Sequence, residues 1–99
     1  MSELLLPARL VIAEAISCRD LLVMHLVGSA GEVLLDGSQV EDVDTAGLQL
    51  LLSAAQTARA SHRGLRLVRC SAVLHRAVML LNLADKLGVS ESAEAEEPA

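Results

Sequence analysis

The most informative part of the chain lies between Val33 and Leu52 and reads VLLDGSQVEDVDTAGLQLLL. It opens with a short, continuous apolar run that ends at Asp36, a pattern typical of a strand buried on both faces of a sheet. A polar loop over residues 37–43 follows. From Thr45 onward the leucines recur at helical spacing. This segment therefore predicts a buried strand, a loop and a helix, in that order.

The same alternation extends outward in both directions. Short strands are predicted over residues 9–12, 32–36 and 65–70, and helices over residues 13–27, 45–62 and 72–81. Ser71 is placed to cap the last helix, whose inward stripe is predicted to be Leu74, Val78 and Leu81. Strands that alternate with helices imply right-handed crossovers. The predicted fold class is therefore α/β, with a small, mainly parallel or mixed sheet and helices packed on it.

Length and composition limit what this fold can do. The 99 residues suffice for one domain, predicted over residues 1–88, and the four glutamates of residues 89–99 predict a disordered acidic tail. There is no Phe, Trp or Tyr, so the chain lacks the aromatic faces on which proteins stack single-stranded bases. A net charge of −5 also argues against nucleic acid as a partner.

Charge and cysteine usage add to this picture. Residues 1–50 carry eight acidic and two basic side chains, whereas residues 51–88 carry one acidic and six basic ones, which predicts a charge dipole. No apolar run approaches the ~20 residues of a membrane span, so no direct membrane insertion is expected. Cys18 and Cys70 stand apart without metal-ligand spacing, which favours reduced core thiols in a cytoplasmic protein.

No catalytic signature is present in the sequence. It contains no GxSxG, GxxxxGK[ST], GxGxxG or HExxH motif. The three histidines, His25, His62 and His75, lie on different predicted elements and have no carboxylate or thiol at ligand spacing. We therefore expect a non-enzymatic protein that needs no cofactor and no metal.

A family resemblance rests on the segment Asp44-Thr-Ala-Gly-Leu48, which follows a strand and a loop and opens a helix. In this order it resembles the STAS domains of bacterial anti-anti-sigma factors. The likeness continues through residues 64–70 and 71–83 and covers roughly residues 10–87. Domains of this family usually begin with a pair of strands and finish with a further strand and helix. This chain has room for one short leading strand, so some flanking strands are expected to be missing.

The resemblance implies a role for the start of the second helix. In anti-anti-sigma factors the residue that matches Thr45 is a serine phosphorylated by the partner kinase, so phosphorylation of Thr45 is expected. The implied partner-binding residues are Asp42, Asp44, Thr45, Ala46, Gly47 and Gln49. The implied partner is an anti-sigma serine/threonine kinase or a sensory kinase. The alternative is a cytoplasmic STAS subunit bound to the ATPase of a phospholipid-transport ABC system, with Thr45 and Asp44 serving only to cap the helix.

Two features predict close contacts. Gly47 lies one turn inside a helix, where glycine costs about 1 kcal/mol relative to alanine, and this predicts close approach of a backbone from a neighbouring element or from a partner. A small sheet with unpaired edges and no aromatic core residues predicts a homodimer at micromolar concentration. That dimer would form through an edge strand or the apolar flank of the first helix and leave Thr45 accessible.

Overall fold

The sheet of this protein is built around one central strand that is almost entirely buried. The computed structural model describes residues 2–89. In chain order the elements are β1 (Ser2–Leu5), β2 (Arg9–Leu10), a 3-10 turn (Ile12–Glu14), α1 (Ala15–Val27), β3 (Val33–Asp36), β4 (Asp42–Val43), α2 (Thr45–Ala60), β5 (Leu65–Val68), α3 (Ala72–Leu80) and α4 (Ala84–Leu87). All three helices predicted from the sequence are present, and the short α4 follows them.

The main sheet has the order β1-β3-β5, and both of its pairings are parallel. Val33, Leu34 and Leu35 of β3 are all buried, so both faces of this central strand are covered. A second, two-stranded sheet joins β2 to β4, also in parallel, with Leu10 opposite Val43. The predicted α/β fold with a small, mainly parallel sheet is therefore confirmed.

The leading strand was predicted incorrectly. The structure has two strands before α1, and β1 rather than β2 joins the main sheet. The reason is that β1 is only four residues long and pairs on one side with β3, a partner more than thirty residues away. Because β1 is so short, its sequence before Pro7 has no periodic pattern that would predict a strand. Its position in the sheet is decided by the pairing with β3.

Two helices and one strand end earlier than predicted, each shortly before a residue with a left-handed backbone conformation. Helix α2 ends at Ala60 and not at His62, whose φ is 60°, and β5 ends at Val68 before Arg69 with φ 52°. Helix α3 ends at Leu80, so Leu81 leaves the inward stripe and is 52% exposed, in contrast to the prediction. Left-handed φ at non-glycine residues marks the turns that sequence periodicity does not reveal.

Val89 packs with the residues that precede it. Val89, assigned to the tail by sequence, is 7% exposed and donates its N–H to the carbonyl of Ala84. Val89 therefore belongs to the hydrophobic core with Leu87. The rest of the predicted tail, residues 90–99, lies outside the described residues.

The core is aliphatic. The largest of the fully buried side chains are Leu6, Leu10, Leu35, Leu51, Leu67, Leu74, Leu87, Val33, Val40 and Val78. Both cysteines are buried, and burial raises the pKa of the Cys18 thiol above its ordinary value. Within residues 2–89, none of the helices has the length and apolar character needed to cross a bilayer.

Two arginines hold parts of the fold together. The guanidinium of Arg63, just beyond α2, donates to the carbonyls of Gly31 (2.7 Å) and Leu26 (2.8 Å) and to the hydroxyl of Ser29 (2.9 Å). Arg59 donates to the carbonyl of Lys86 at 2.8 Å. Arg63 therefore joins the end of α1 and the loop after it to the end of α2.

We expect Arg63→Met to lower the free energy of unfolding by about 2–4 kcal/mol, because three hydrogen bonds from one charged donor are lost together. Arg76→Met is the matched control: Arg76 is exposed on α3 and should change stability by less than about 0.5 kcal/mol. Urea denaturation followed by far-UV circular dichroism measures both variants. Equal stability of the two would show that the contacts of Arg63 contribute nothing.

Candidate functional site

The start of α2 is fixed by the carboxylate of Asp44. The backbone of Asp44 is extended (φ −127°, ψ −175°), and one carboxylate oxygen accepts the N–H of Gly47 at 3.0 Å. The predicted capping role of Asp44 is thus present in the structure. Such a cap satisfies one of the N–H groups that a helix start leaves without a partner.

Asp44 also binds a distant part of the chain. Its second carboxylate oxygen accepts the N–H of Ile12 at 3.0 Å, and its own N–H donates to the carbonyl of Leu10 at 3.1 Å. The N–H groups of Ile12 and then Gly47 hold the pKa of the Asp44 carboxyl below its ordinary value, since they stabilise the charged form. One residue therefore ties the start of α2 to β2 and the 3-10 turn.

Gly47 completes this junction. It is buried, and a Cβ at this position would collide with the carbonyl oxygen of Leu10 and lie 2.7 Å from its carbonyl carbon. The close approach that the sequence predicted is therefore made by a neighbouring element, β2. The role of Gly47 at this site is to let α2 approach β2, and the predicted contact of Gly47 with a partner has no exposed surface to support it.

The remaining predicted residues lie together on the outer rim of this junction. Thr45 is the first residue of α2 and is exposed, as are Asp42 on β4 and Gln49 on the next turn of the helix. Residues four apart on a helix share one face, so Thr45 and Gln49 are neighbours. Ala46 is partly buried. The rim of the site thus consists of an exposed threonine with exposed polar residues on either side.

A shallow cleft of about 250 Å³ adjoins Thr45. It is lined by Val43, Asp44, Thr45, Leu48, Ala77, Leu80 and Leu81. Leu80 is 76% exposed beside it. These α3 residues were not predicted as part of the site, because Leu81 was expected to lie in the core. The usable signal was the uninterrupted apolar run of residues 78–81, which a single inward stripe cannot accommodate.

The rim is acidic but contains one basic side chain. Arg9 binds Glu14 at 2.7 Å and lies 3.6 Å from Asp42. Its pKa is raised above the ordinary value by the hydrogen bond and charge of Glu14, with a smaller contribution from Asp42. Glu41 is exposed next to this pair. Within residues 2–89, no group of three His, Cys, Asp or Glu side chains is arranged to hold a metal ion.

The comparison with protein families gives one match. The family described as "Mlab, STAS domain" matches residues 6–89, which include the whole junction and the cleft but not β1. No curated protein matches the chain.

We expect Gly47→Ala to lower the free energy of unfolding by about 3 kcal/mol, because the new methyl group would displace β2 from α2. Gly64→Ala is the matched control, since a Cβ there meets only the side chain of Glu32, at 3.7 Å. The control should change stability by less than about 1 kcal/mol. Thermal and urea denaturation measure both, and equal losses would contradict the proposed close contact.

The lowered pKa of Asp44 predicts a pH-dependent contribution to stability. A carboxyl whose pKa is depressed in the folded state stabilises the fold fully above its ordinary pKa, about 3.9, and this stabilisation is lost as the pH falls through the folded-state value. The difference in unfolding free energy between the wild type and Asp44→Asn should therefore be largest near neutral pH and shrink in acid. Urea titrations over that range test this, and a constant difference would refute it.

Proposed function

Because this chain belongs to the STAS domain family, we propose that it is a non-catalytic protein-interaction module whose partner docks on the start of α2 and is released by phosphorylation of Thr45. The observation that carries the proposal is the placement of Thr45. Thr45 is exposed at the first position of α2, while Asp44 and Gly47 hold the backbone around it.

Thr45 is suited to enzymatic modification. A kinase must reach the hydroxyl group, and Thr45 is exposed on the rim of the junction. The hydroxyl oxygen would attack the γ-phosphorus of ATP, with ADP leaving and the hydroxyl proton passing to a base of the kinase. Residues that hold the fold, such as Asp44, remain untouched by this reaction.

The added charge would act on the partner rather than on the fold. A phosphate group carries about −1.5 to −2 charges at neutral pH. The N-terminal end of a helix favours negative charge, so α2 tolerates the group. The same charge would join the exposed Glu41 and Asp42 and make the rim strongly acidic. A partner that approaches with acidic or apolar groups would then be repelled.

The cleft beside Thr45 supplies the binding energy in this proposal. Leu80 and Leu81 are 76% and 52% exposed, and their burial by a partner would remove apolar surface from water. Gln49 and Asp42 would contribute polar contacts at the edge. We propose an anti-sigma-type serine/threonine kinase or a sensory kinase as the partner, which places the protein in the cytoplasm.

A second candidate follows from the same cleft. Permanent protein interfaces are more apolar than transient ones, and the exposed Leu80 and Leu81 would suit a subunit that stays bound. In this alternative the partner is the ATPase of a phospholipid-transport ABC system, and Thr45 contacts it without being modified.

We expect Thr45→Glu to weaken binding to the cognate kinase by about tenfold or more, because it adds charge to an acidic rim, and Thr45→Ala to bind like the wild type. Gln56→Glu is the matched control: Gln56 is exposed on the same helix about three turns away. Calorimetry against purified anti-sigma-type kinases, sensory kinases and ABC ATPases of the source organism measures each affinity. Equal binding by Thr45→Glu and Thr45→Ala would contradict the switch.

Phosphorylation itself separates the two candidates. Each purified kinase is incubated with ATP and the chain, and the modified residue is located by mass spectrometry. Phosphate on Thr45, retained in Thr45→Ser and lost in Thr45→Ala, supports the switch. Stable binding to an ABC ATPase without modification by any kinase supports the transporter subunit instead.

A further inference from the structure

Helix α1 presents an apolar face to solvent as well as to the core. Cys18 and Leu22 face inward and are buried. The exposed apolar residues of the same helix are Ile16, Leu21, Val23, Met24 and Val27. A helix that is apolar on both sides is normally covered on both sides, and contiguous apolar surface on a soluble protein commonly marks an interaction site.

Two charged residues flank one strip of this face, the strip formed by Ile16 and Val23. Successive residues of an α-helix are rotated by about 100°, so Ile16 and Val23 lie almost in line along α1. Measured from that line, Arg19 lies about 50° to one side and Asp20 about 50° to the other. This strip therefore has a positive flank and a negative flank at nearly the same height.

A two-fold axis can relate two such faces in two ways. With the axis along the helices, the two α1 helices are parallel and each flank meets the opposite flank of the other copy, so Arg19 faces Asp20 on both sides. With the axis across the helices, they are antiparallel and Arg19 faces Arg19. Flanking charges decide orientation in helix pairs. We propose that a second copy of this chain covers the outer face of α1, with the two helices parallel.

Both charges are available for this contact. Within one copy, Arg19 and Asp20 lie 3.4 Å apart, with both side chains 61% exposed. An exposed ion pair of this kind contributes little to the stability of the fold. Exchanging it for two pairs between copies therefore costs little.

An apolar groove beside α1 fits the same arrangement. The groove has a volume of about 150 Å³ and runs between α1 and α2 on the side of Arg19. Its apolar lining residues are Leu22, Val23, Leu26, Val27, Leu50 and Ala54. Met24 is 73% exposed and lies on the side of Asp20. In the parallel dimer the Asp20 side of each α1 faces the groove of the other copy. Met24 of each copy therefore occupies the groove between α1 and α2 of the other.

The dimer is independent of the proposed partner switch. The outer face of α1 shares no residue with the cleft beside Thr45, so each dimer carries two accessible Thr45 hydroxyls. The face extends for about 20 Å along one helix. A face on one helix of this length buries less area than a standard interface, which buries about 800 Å² per partner. We therefore expect a dissociation constant in the micromolar range.

Charge reversal tests the interface. Arg19→Glu and Asp20→Lys should each weaken the dimer about tenfold, because each places like charges opposite one another twice. An equimolar mixture of the two variants should form a heterodimer with the wild-type affinity, because every facing pair of side chains again carries opposite charges. Arg76→Glu on α3 changes net charge like Arg19→Glu and should leave the dimer unchanged. Sedimentation with interference optics measures the masses, since the chain has no Trp or Tyr.

Cysteine cross-linking tests the orientation. In the parallel arrangement Val23 faces Val23 of the second copy, so Val23→Cys should form a disulfide-linked dimer under mild oxidation. The native Cys18 and Cys70 are buried, so the wild type should not cross-link, and Val73→Cys on α3 serves as the exposed control. A mass of 10.4 kDa at all concentrations up to millimolar overturns the proposal. So does a dimer that neither charge reversal weakens, or equal cross-linking of Val23→Cys and Val73→Cys.

Discussion

The arrangement of this protein depends on the contact between the carbonyl of Leu10 and the start of α2. The N–H of Asp44 donates to that carbonyl, and the absence of a side chain at Gly47 lets the helix approach it. The carboxylate of Asp44 then closes the junction by accepting the N–H groups of Ile12 and Gly47. Because β2, the 3-10 turn, β4 and α2 all meet here, the exposed position of Thr45 follows from this single junction.

Local features of the fold could be predicted from the sequence, and the reason is physical. The apolar run of β3, the start of α2 and the cap at Ser71 depend on neighbours within a few residues. Ser71 does accept the N–H of Leu74 at 3.2 Å. These interactions leave a pattern in the sequence. The α/β class and the family follow from the order of such local elements.

Features that depend on distant partners could not be predicted. Strand β1 exists because β3 offers it a free edge, and the three acceptors of Arg63 lie more than thirty residues away from it. The second role of Asp44 belongs to the same class, since Ile12 is 32 residues away. For the site, the sequence indicated Asp44 and Thr45 but not the apolar cleft formed with α3. That cleft depends on Leu81 leaving the helix where Asn82 turns left-handed.

The rigidity of the junction at Leu10 has a consequence for how any charge at Thr45 would be sensed. A site whose backbone is held from both sides by Asp44 and Gly47 keeps its shape when a charge is added to its rim. A partner would then distinguish the charged from the uncharged form of Thr45 by the electrostatic field and not by a rearrangement of the backbone. Such a field is screened over about 8 Å at physiological ionic strength. Added salt should therefore narrow the gap in affinity between the two forms, whereas a switch based on refolding would be far less sensitive to it.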